Sequence, residues 1–198
     1  MSDIYSEIEY KLPAEKVGVN EFVTWCASQG PDQYVHILSP DLYYAQGVST
    51  IRHRWGDNGE AGELTVKRRK DSKSTTDRVE IDLFFNDKTT KEDVAKFLEL
   101  TGWKRIFTIV KEAHIFNFKK NDAPDVSVVI YDCWLIDKPG SKRRFIEIEA
   151  AKGTRETLAK DKAIINEWYQ KIASLFDVEP PCNKSLYEIY SGKKYKLV

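Results

Sequence analysis

Segments in which polar and apolar residues alternate recur along most of this chain, and they constrain its fold more than any other feature. The first, 4–11, reads Ile-Tyr-Ser-Glu-Ile-Glu-Tyr-Lys. Because successive side chains of a β-strand point to opposite faces, this pattern is typical of a strand with two different faces. The two segments that flank Ser39-Pro40 are expected to form a short hairpin. In chain order, the further predicted strands are 34–38, 41–47, 49–55, 63–70, 77–86, 104–119, 125–136 and 143–151.

Helical patterns are fewer and come late in the chain. We expect one helix over about 90–101, a long one over about 154–176 and a short one near 184–191. Pro139-Gly140 predicts a turn. Many antiparallel strands with few helices indicate an α+β fold rather than a repeated βαβ unit. About eight strands in a chain of 198 residues favour a closed or nearly closed antiparallel β-barrel with flanking helices, because closure removes exposed sheet edges.

The charge balance limits the classes of function. Lys and Arg number 31, and Asp and Glu also number 31, so bulk charge argues against a general polyanion binder. No linker or repeat divides the sequence, and we expect one domain over 1–198. No apolar run approaches the ~20 residues of a membrane span, and we expect no secretory signal. The widely spaced Cys26, Cys133 and Cys182 suit a reducing compartment, so a cytoplasmic location is expected.

Charge is concentrated on one face of several predicted strands. Residues i and i+2 of a strand share a face. The resulting sets are Glu7, Glu9 and Lys11; Arg52 and Arg54; Thr65, Lys67 and Arg69; Arg78, Glu80 and Asp82; Arg105, Phe107, Ile109, Lys111 and Ala113; and Glu147 and Glu149. In any single strand, such charges are typical of a solvent-exposed face. If the sets converge inside a barrel, they form an acidic cluster beside a basic one.

A cavity of that kind suits a polyphosphate bound together with a divalent metal. Burying so many charges is costly unless ions or ligands pair them. Carboxylate oxygens are ligands for Mg²⁺ and Mn²⁺, whereas guanidinium and ammonium groups bind phosphate oxygens. Both readings of the charged faces, solvated and enclosed, stay open on the residues alone.

A collinear series of motifs covers about 4–190. It comprises Glu7-Ile-Glu-Tyr-Lys11, Arg52-His-Arg54, Leu64-Thr-Val-Lys67, Arg78-Val-Glu80, Lys111-Glu-Ala113, Asp132 and Phe145-Ile-Glu-Ile-Glu149. In this order the series resembles the CYTH domain of the triphosphate tunnel metalloenzymes, whose signature is ExExK. Two positions depart from the family pattern. Ala113 stands where the family has Arg, and the family's terminal Ser-Tyr is interrupted in Ser185-Leu-Tyr187.

The resemblance implies a closed eight-stranded antiparallel β-barrel that binds a triphosphate in its tunnel. It implies Mg²⁺ or Mn²⁺ at Glu7, Glu9, Glu80, Asp132, Glu147 and Glu149. It implies phosphate binding by Lys11, Arg52, Arg54, Lys67, Arg78 and Lys111. It implies catalytic roles for Glu7, Glu9, Lys11, Glu147 and Glu149. With Ala113 in place of Arg, two alternatives stay open: one phosphate contact is missing, or Arg105, Arg143 or Arg144 supplies it.

The implied activity is metal-dependent hydrolysis of a triphosphate: inorganic tripolyphosphate, thiamine triphosphate or a nucleoside triphosphate. The alternatives are a class IV adenylate cyclase, an RNA 5′-triphosphatase and a non-catalytic nucleotide or polyphosphate binder. The presence of both Glu147 and Glu149, and the absence of the cyclase-like His-Phe pair ahead of Glu7, favour hydrolysis. The expected partner is a triphosphate-bearing small molecule, with no membrane and no nucleic acid except a 5′-triphosphate RNA end, for a monomer or homodimer.

Two electrostatic expectations accompany this hypothesis. Arg52, Arg54 and Lys67 would repel one another in an empty tunnel, so Arg54→Ala is expected to leave folding intact or to raise the melting temperature. The paired glutamates of the first and last strands are expected to lack enough local cations to neutralise them.

Overall fold

A computed structural model describes residues 6–47, 49–55, 62–69, 77–86, 88–120, 123–153 and 158–192. Within these ranges, the side chains of 6–7, 67–69, 77–80, 120, 123–124, 151–153 and 158 lie outside the description. The strands are β1 (Ser6–Pro13), β2 (Gln33–Gln46), β3 (Ser49–Arg54), β4 (Glu63–Arg69), β5 (Asp77–Phe84), β6 (Lys104–Lys120), β7 (Ala123–Leu135) and β8 (Lys138–Gly153). The helices are α1 (Val19–Ser28), α2 (Lys91–Leu100), α3 (Leu158–Leu175) and α4 (Leu186–Ser191).

The strands form one curled antiparallel sheet. Their order is β1-β5-β4-β3-β2-β6-β7-β8. Among the described residues, β1 pairs with β8 along most of its length but with β5 through three residue pairs, Ser6–Ile8 against Asp77–Val79. The predicted α+β class and eight-stranded antiparallel sheet are therefore confirmed. Full closure of the barrel stays a prediction, since the described residues join β1 to β5 only through this short seam.

Helices α1 and α3 cover one face of the sheet, which we call the outer face. Alternate residues of β1 and β8, such as Ile8, Leu12 and Ile148, are almost completely buried there. They pack with Phe22 of α1 and Trp168 of α3 in one apolar cluster. Burial of such side chains stabilises the fold by about 1.5–3 kcal/mol each, so this cluster fixes which face of β1 and β8 looks inward.

Helix α2 covers a second part of the outer face, and its start follows local sequence rules. Thr90 caps the helix, since its hydroxyl accepts from the Asp93 amide while the Asp93 carboxylate accepts from the Thr90 amide. This capping box confirms the helix predicted over about 90–101. Val94 and Leu98 pack on Leu42 of β2.

Helix α4 packs against the opposite face, which we call the inner face. Leu186 and Tyr187 join an apolar cluster with Tyr43, Ile109 and Phe145. The inner face is therefore apolar where α4 packs and charged elsewhere.

The structure corrects the sequence analysis of the elements at three points, which are two wrong predictions and one missed helix. The hairpin around Ser39-Pro40 is wrong, because β2 runs through both residues. β3 pairs with β2 only from Asp41 onward. At Pro40, therefore, the side of β2 that faces β3 has no described partner strand. A strand tolerates proline at such a position, because no hydrogen bond from its nitrogen is needed. The turn assigned to Pro139-Gly140 falls at 136–137 instead, and both residues belong to β8.

The third correction is α1, which the sequence analysis did not predict. Gly18 precedes it without a side-chain cap, so the usual start signal is missing. The expected start of the long helix at 154 lies outside the described residues, which show α3 from Leu158. No helix in the described ranges is long and apolar enough to cross a membrane.

Candidate functional site

The strand register aligns charged positions across the inner face. Directly opposed residues of an antiparallel pair place their side chains on the same face. The opposed inner-face pairs are Glu9 and Glu149, Lys11 and Glu147, Ser39 and Lys111, Asp41 and Arg54, Arg52 and Thr65, Glu63 and Arg54, and Thr65 and Asp82. Charged residues from seven of the eight strands thus share one surface.

One group of these residues is the lysine–glutamate cluster, made of Glu9, Lys11, Lys111, Tyr131 and Glu147. The Lys11 ammonium lies 3.0 Å from Oε1 of Glu9 and 3.2 Å from Oε1 of Glu147. The Tyr131 hydroxyl donates to Oε1 of Glu147 at 2.7 Å, and the Lys111 ammonium donates to Oε2 at 3.3 Å. Lys111 also lies 3.7 Å from the centre of the Tyr131 ring, a cation–π contact.

Burial and neighbouring charges determine the protonation states of Glu147 and Tyr131 in this cluster. Burial opposes ionisation of Glu147, but the nearby Lys111 and Lys11 outweigh it and lower the pKa of Glu147 to about 2. Burial, together with the Glu147 charge, raises the pKa of Tyr131 well above its ordinary value. At neutral pH, Glu147 is therefore a carboxylate and Tyr131 a phenol that donates to it.

The second group is an arginine pair held by carboxylates of β2 and β4. Nε of Arg54 donates to Oδ1 of Asp41 at 2.7 Å, and Nη2 donates to Oδ2 at 2.9 Å. This is a bidentate contact. Asp41 is completely buried. Burial alone would raise the pKa of Asp41, but the charges of Arg54 and Arg52 hold it below its ordinary value.

Arg52 lies beside this pair and continues the network. Its Nη2 donates to Oε1 of Glu63 and to Oγ1 of Thr65, each at 2.8 Å. The Thr65 hydroxyl in turn donates to Oδ1 of Asp82 at 2.8 Å. The chain of contacts crosses from β3 through β4 to β5, so these side chains hold one another in fixed positions.

Most of the predicted site residues with described side chains come together. These are Glu9, Lys11, Arg52, Arg54, Lys111, Glu147 and Glu149. Four others occupy neighbouring register positions, Glu7 opposite Arg78 and Lys67 opposite Glu80, but their side chains lie outside the described part. Lys11 and Lys111 pair with Glu9 and Glu147. The expected shortage of cations for all four glutamates stays a prediction, because the side chain of Glu7 lies outside the described part.

Asp132 is not part of this group. It lies between Tyr131 and Cys133, whose side chains pack in the inner cluster, so period-two alternation turns Asp132 to the outer face. There, Arg144 donates to it from Nε at 2.7 Å, and the Lys142 ammonium lies 2.8 Å away. The prediction that Asp132 binds metal in the tunnel is corrected for this reason.

The face on which each arginine lies also decides which of them could replace the phosphate contact that the family's Arg makes at the position of Ala113. Ala113 is buried on the inner face. A register shift next to Tyr43 sets Arg105 opposite Tyr44, on the outer face, and Arg144 lies on that face with Asp132. Of the three candidates, Arg143 alone lies opposite an inner residue, Cys133, and it donates to Glu15 at 3.1 Å.

Sequence reasoning missed three members of the site. Glu63 could have been found, since it precedes Thr65 by two positions on the same strand. Asp41 was missed because the hairpin assumed at Pro40 interrupted the alternation of β2. Tyr131 carries no charge and looked like a core aromatic residue.

The donor atoms fit a hard divalent cation in their chemistry, because Glu9, Glu147 and Glu149 supply carboxylate oxygens. The arrangement of these oxygens, however, does not by itself form a complete metal site. Among the described residues, no three acidic, histidine or cysteine side chains are grouped closely enough to hold a metal ion. Instead, the Lys11 ammonium lies where two carboxylates converge.

Fold and site together define a class of protein: an α+β chain whose curled antiparallel sheet carries paired carboxylates and cations on its inner face. No protein-family model and no curated protein matches the sequence. Among solved structures, a conserved hypothetical protein from Pyrococcus furiosus is similar, with 21% identity, a TM-score of 0.65 and coverage of 92% of this chain and 99% of that chain.

Two further structures share the fold. The Pct1 RNA triphosphatase of Schizosaccharomyces pombe has 13% identity and a TM-score of 0.51, with coverage of 87% of this chain and 83% of that chain. A chain of the Schizosaccharomyces pombe Mediator head module has 10% identity and a TM-score of 0.57, with coverage of 88% and 96%. At such identities the likeness establishes the fold.

Proposed function

We propose that this protein hydrolyses a triphosphate-containing substrate on the inner face of its sheet, with Mg²⁺ or Mn²⁺. The observation that carries the proposal is the pairing of four buried or half-buried cations, Lys11, Arg52, Arg54 and Lys111, with carboxylates across that face. The fold shared with an RNA triphosphatase supports it.

The charge balance supports a requirement for metal. Among the described inner-face side chains the acidic ones are Glu9, Asp41, Glu63, Asp82, Glu147 and Glu149, and the basic ones in their network are Lys11, Arg52, Arg54 and Lys111. Among these described side chains the acids outnumber the bases, so they offer no surplus of positive charge to a polyanion. A polyanion that enters needs further positive charge, which a divalent cation supplies.

The residues of the chain would act mainly by position and charge. Phosphoryl transfer needs little covalent chemistry from a protein, so alignment and neutralisation dominate catalysis. Arg52 and Arg54 offer forked donors for phosphate oxygens, and Lys11 and Lys111 offer point charges. Glu9, Glu147 and Glu149 would hold the metal, whose Lewis acidity neutralises charge on the phosphoryl group.

The overall reaction consumes one water per cleaved phosphoanhydride. The oxygen of the water bonds to the terminal phosphorus, the bond from that phosphorus to the bridging oxygen breaks, and the products are phosphate, the diphosphate form of the substrate and a released proton. Glu7, Lys67, Arg78 and Glu80 belong to this proposal through their register positions beside the described groups.

The test is product analysis with four substrates: inorganic tripolyphosphate, thiamine triphosphate, ATP and a short RNA with a 5′-triphosphate. We expect phosphate release that requires Mg²⁺ or Mn²⁺, disappears in excess EDTA and returns when the metal is restored. Glu9→Gln should lower kcat by roughly a hundredfold, the loss typical of a contact to transition-state charge. Glu167→Gln should not, because the Glu167 side chain lies on the exposed side of α3. Full turnover in EDTA would contradict the metal requirement.

A second candidate is an RNA 5′-triphosphatase, which the fold shared with Pct1 favours. It differs from the first in the group attached to the triphosphate. Preference for RNA over inorganic tripolyphosphate in the same assay would select it, while pyrophosphate release with a cyclic nucleotide would indicate a cyclase instead.

A further inference from the structure

The lysine–glutamate cluster places a cation of the protein itself at the point where two of its carboxylates converge. The Lys11 ammonium lies 3.0 Å from Glu9 and 3.2 Å from Glu147. Lys11 is 4% exposed and Glu9 7%, so these contacts are made away from bulk water. A carboxylate pair brought together in this way repels itself unless a cation stands between its members.

The two lysines of the cluster are not equivalent. Lys111 contacts only one of the two carboxylates, Glu147, through its second oxygen, and it also lies over the Tyr131 ring. Lys11 contacts both carboxylates, and a lysine stem lets the ammonium move without the backbone. Lys11 is therefore the cation whose displacement would change the charge between Glu9 and Glu147 most.

The position of Lys11 has a consequence for metal binding. A divalent cation that approaches Glu9 and Glu147 meets a positive charge already at contact distance from both. Coulomb repulsion at such distances is strong wherever water is scarce. The carboxylates alone would attract the ion, but the cluster as it stands largely cancels that attraction.

We propose that Lys11 is an exchangeable counter-cation, which holds Glu9 and Glu147 together until a polyphosphate draws its ammonium away and opens the two carboxylates to a divalent metal. No covalent bond changes in this step, since one ion pair replaces another. The inference rests on the proposed function, and it makes polyphosphate binding the condition for tight metal binding.

The test is a titration with Mn²⁺ alone, with unbound ion followed by its electron paramagnetic resonance signal. We expect wild-type protein to bind Mn²⁺ weakly and Lys11→Gln to bind it roughly tenfold or more tightly, because the competing charge is gone. Lys11→Arg keeps the charge and should remain as weak as wild type. Lys16→Gln is the matched surface control, since Lys16 pairs with Asp177 on the exposed surface, and it should also match wild type.

The outcomes separate this inference from the function on which it rests. Equal Mn²⁺ affinities of wild type and Lys11→Gln, or tight binding by wild type, would overturn the counter-cation role. Failure of the proposed function would appear separately, as no phosphate release by wild type from any triphosphate. If Lys11→Gln melts too low for the titration, the rise of its melting temperature with Mn²⁺ replaces the measurement, and no rise beyond that of wild type would count against the inference.

Discussion

At the scale of single residues, the bidentate contact between Arg54 and Asp41 reverses an expectation drawn from the sequence. Repulsion among neighbouring cations led us to expect that Arg54→Ala would leave stability unchanged or raise it. The structure shows instead that Arg54 neutralises a completely buried carboxylate. Removing one partner of such a pair leaves the other charge buried and unpaired.

We therefore expect Arg54→Ala to lower the free energy of unfolding by about 3 kcal/mol, as measured by urea denaturation. Arg143→Ala removes a half-exposed guanidinium whose partner Glu15 is also exposed, and it should cost less than about 1 kcal/mol. A stability of Arg54→Ala equal to that of wild type would show that Asp41 finds another partner.

The ionisation of Glu147 makes a second prediction at this scale. Burial opposes its charge, but Lys111 and Lys11 bring the pKa from 4.5 to about 2 in the folded protein. A carboxyl whose pKa falls on folding stabilises the fold above its unfolded pKa, and this contribution is lost as pH falls through the folded pKa. Between pH 5 and pH 2, wild type should therefore lose stability faster than Glu147→Gln, as measured by urea unfolding at each pH. A difference between the two proteins that does not change over this range would contradict the prediction.

At the scale of elements, period-two alternation predicted the positions of most strands, because each strand carries two different faces. It could not predict the continuous β2, since a proline ends or continues a strand according to its neighbours. It also failed for Arg105, whose face is changed by a register shift beside Tyr43 that depends on pairing between distant segments. Asp132 was assigned to the tunnel by the family resemblance, whereas alternation along β7 places it on the outer face. Helix α1 was missed because its start lacks a capping side chain.

The packing of α4 supplies a prediction for this scale. Leu186 is 7% exposed and joins the inner apolar cluster, whereas Leu175 at the end of α3 is 60% exposed. Leu186→Ala should lower the free energy of unfolding by about 2–4 kcal/mol, the usual cost of a cavity in a core. Leu175→Ala, the same chemical change on the surface, should cost less than about 0.5 kcal/mol. Equal effects in urea denaturation would mean that α4 does not anchor to the inner face.

At the scale of the whole molecule, the charged inner face combines residues from strands that are not neighbours in the sheet. Lys11 lies on β1 and Arg52 on β3, and β5 and β4 lie between these strands in the sheet. Few hydrogen bonds join β1 to β5 in the described part of the chain, where the two strands share three residue pairs. A polyanion that contacts Lys11 and Arg52 together would join the two sides of the seam.

We therefore expect tripolyphosphate with Mg²⁺ to stabilise the fold as a whole. A ligand that binds only the folded state at a hundred times its dissociation constant adds about 2.7 kcal/mol, which for a domain of this size raises Tm by roughly 5–10 °C. Sulfate at the same ionic strength spans less of the face and should raise Tm much less. Arg52→Gln should reduce the shift caused by tripolyphosphate, because it removes a contact on the far side of the seam from Lys11. If sulfate stabilised wild type as well as tripolyphosphate does, general screening of charge would explain the effect, and the inner face would not act as one binding surface.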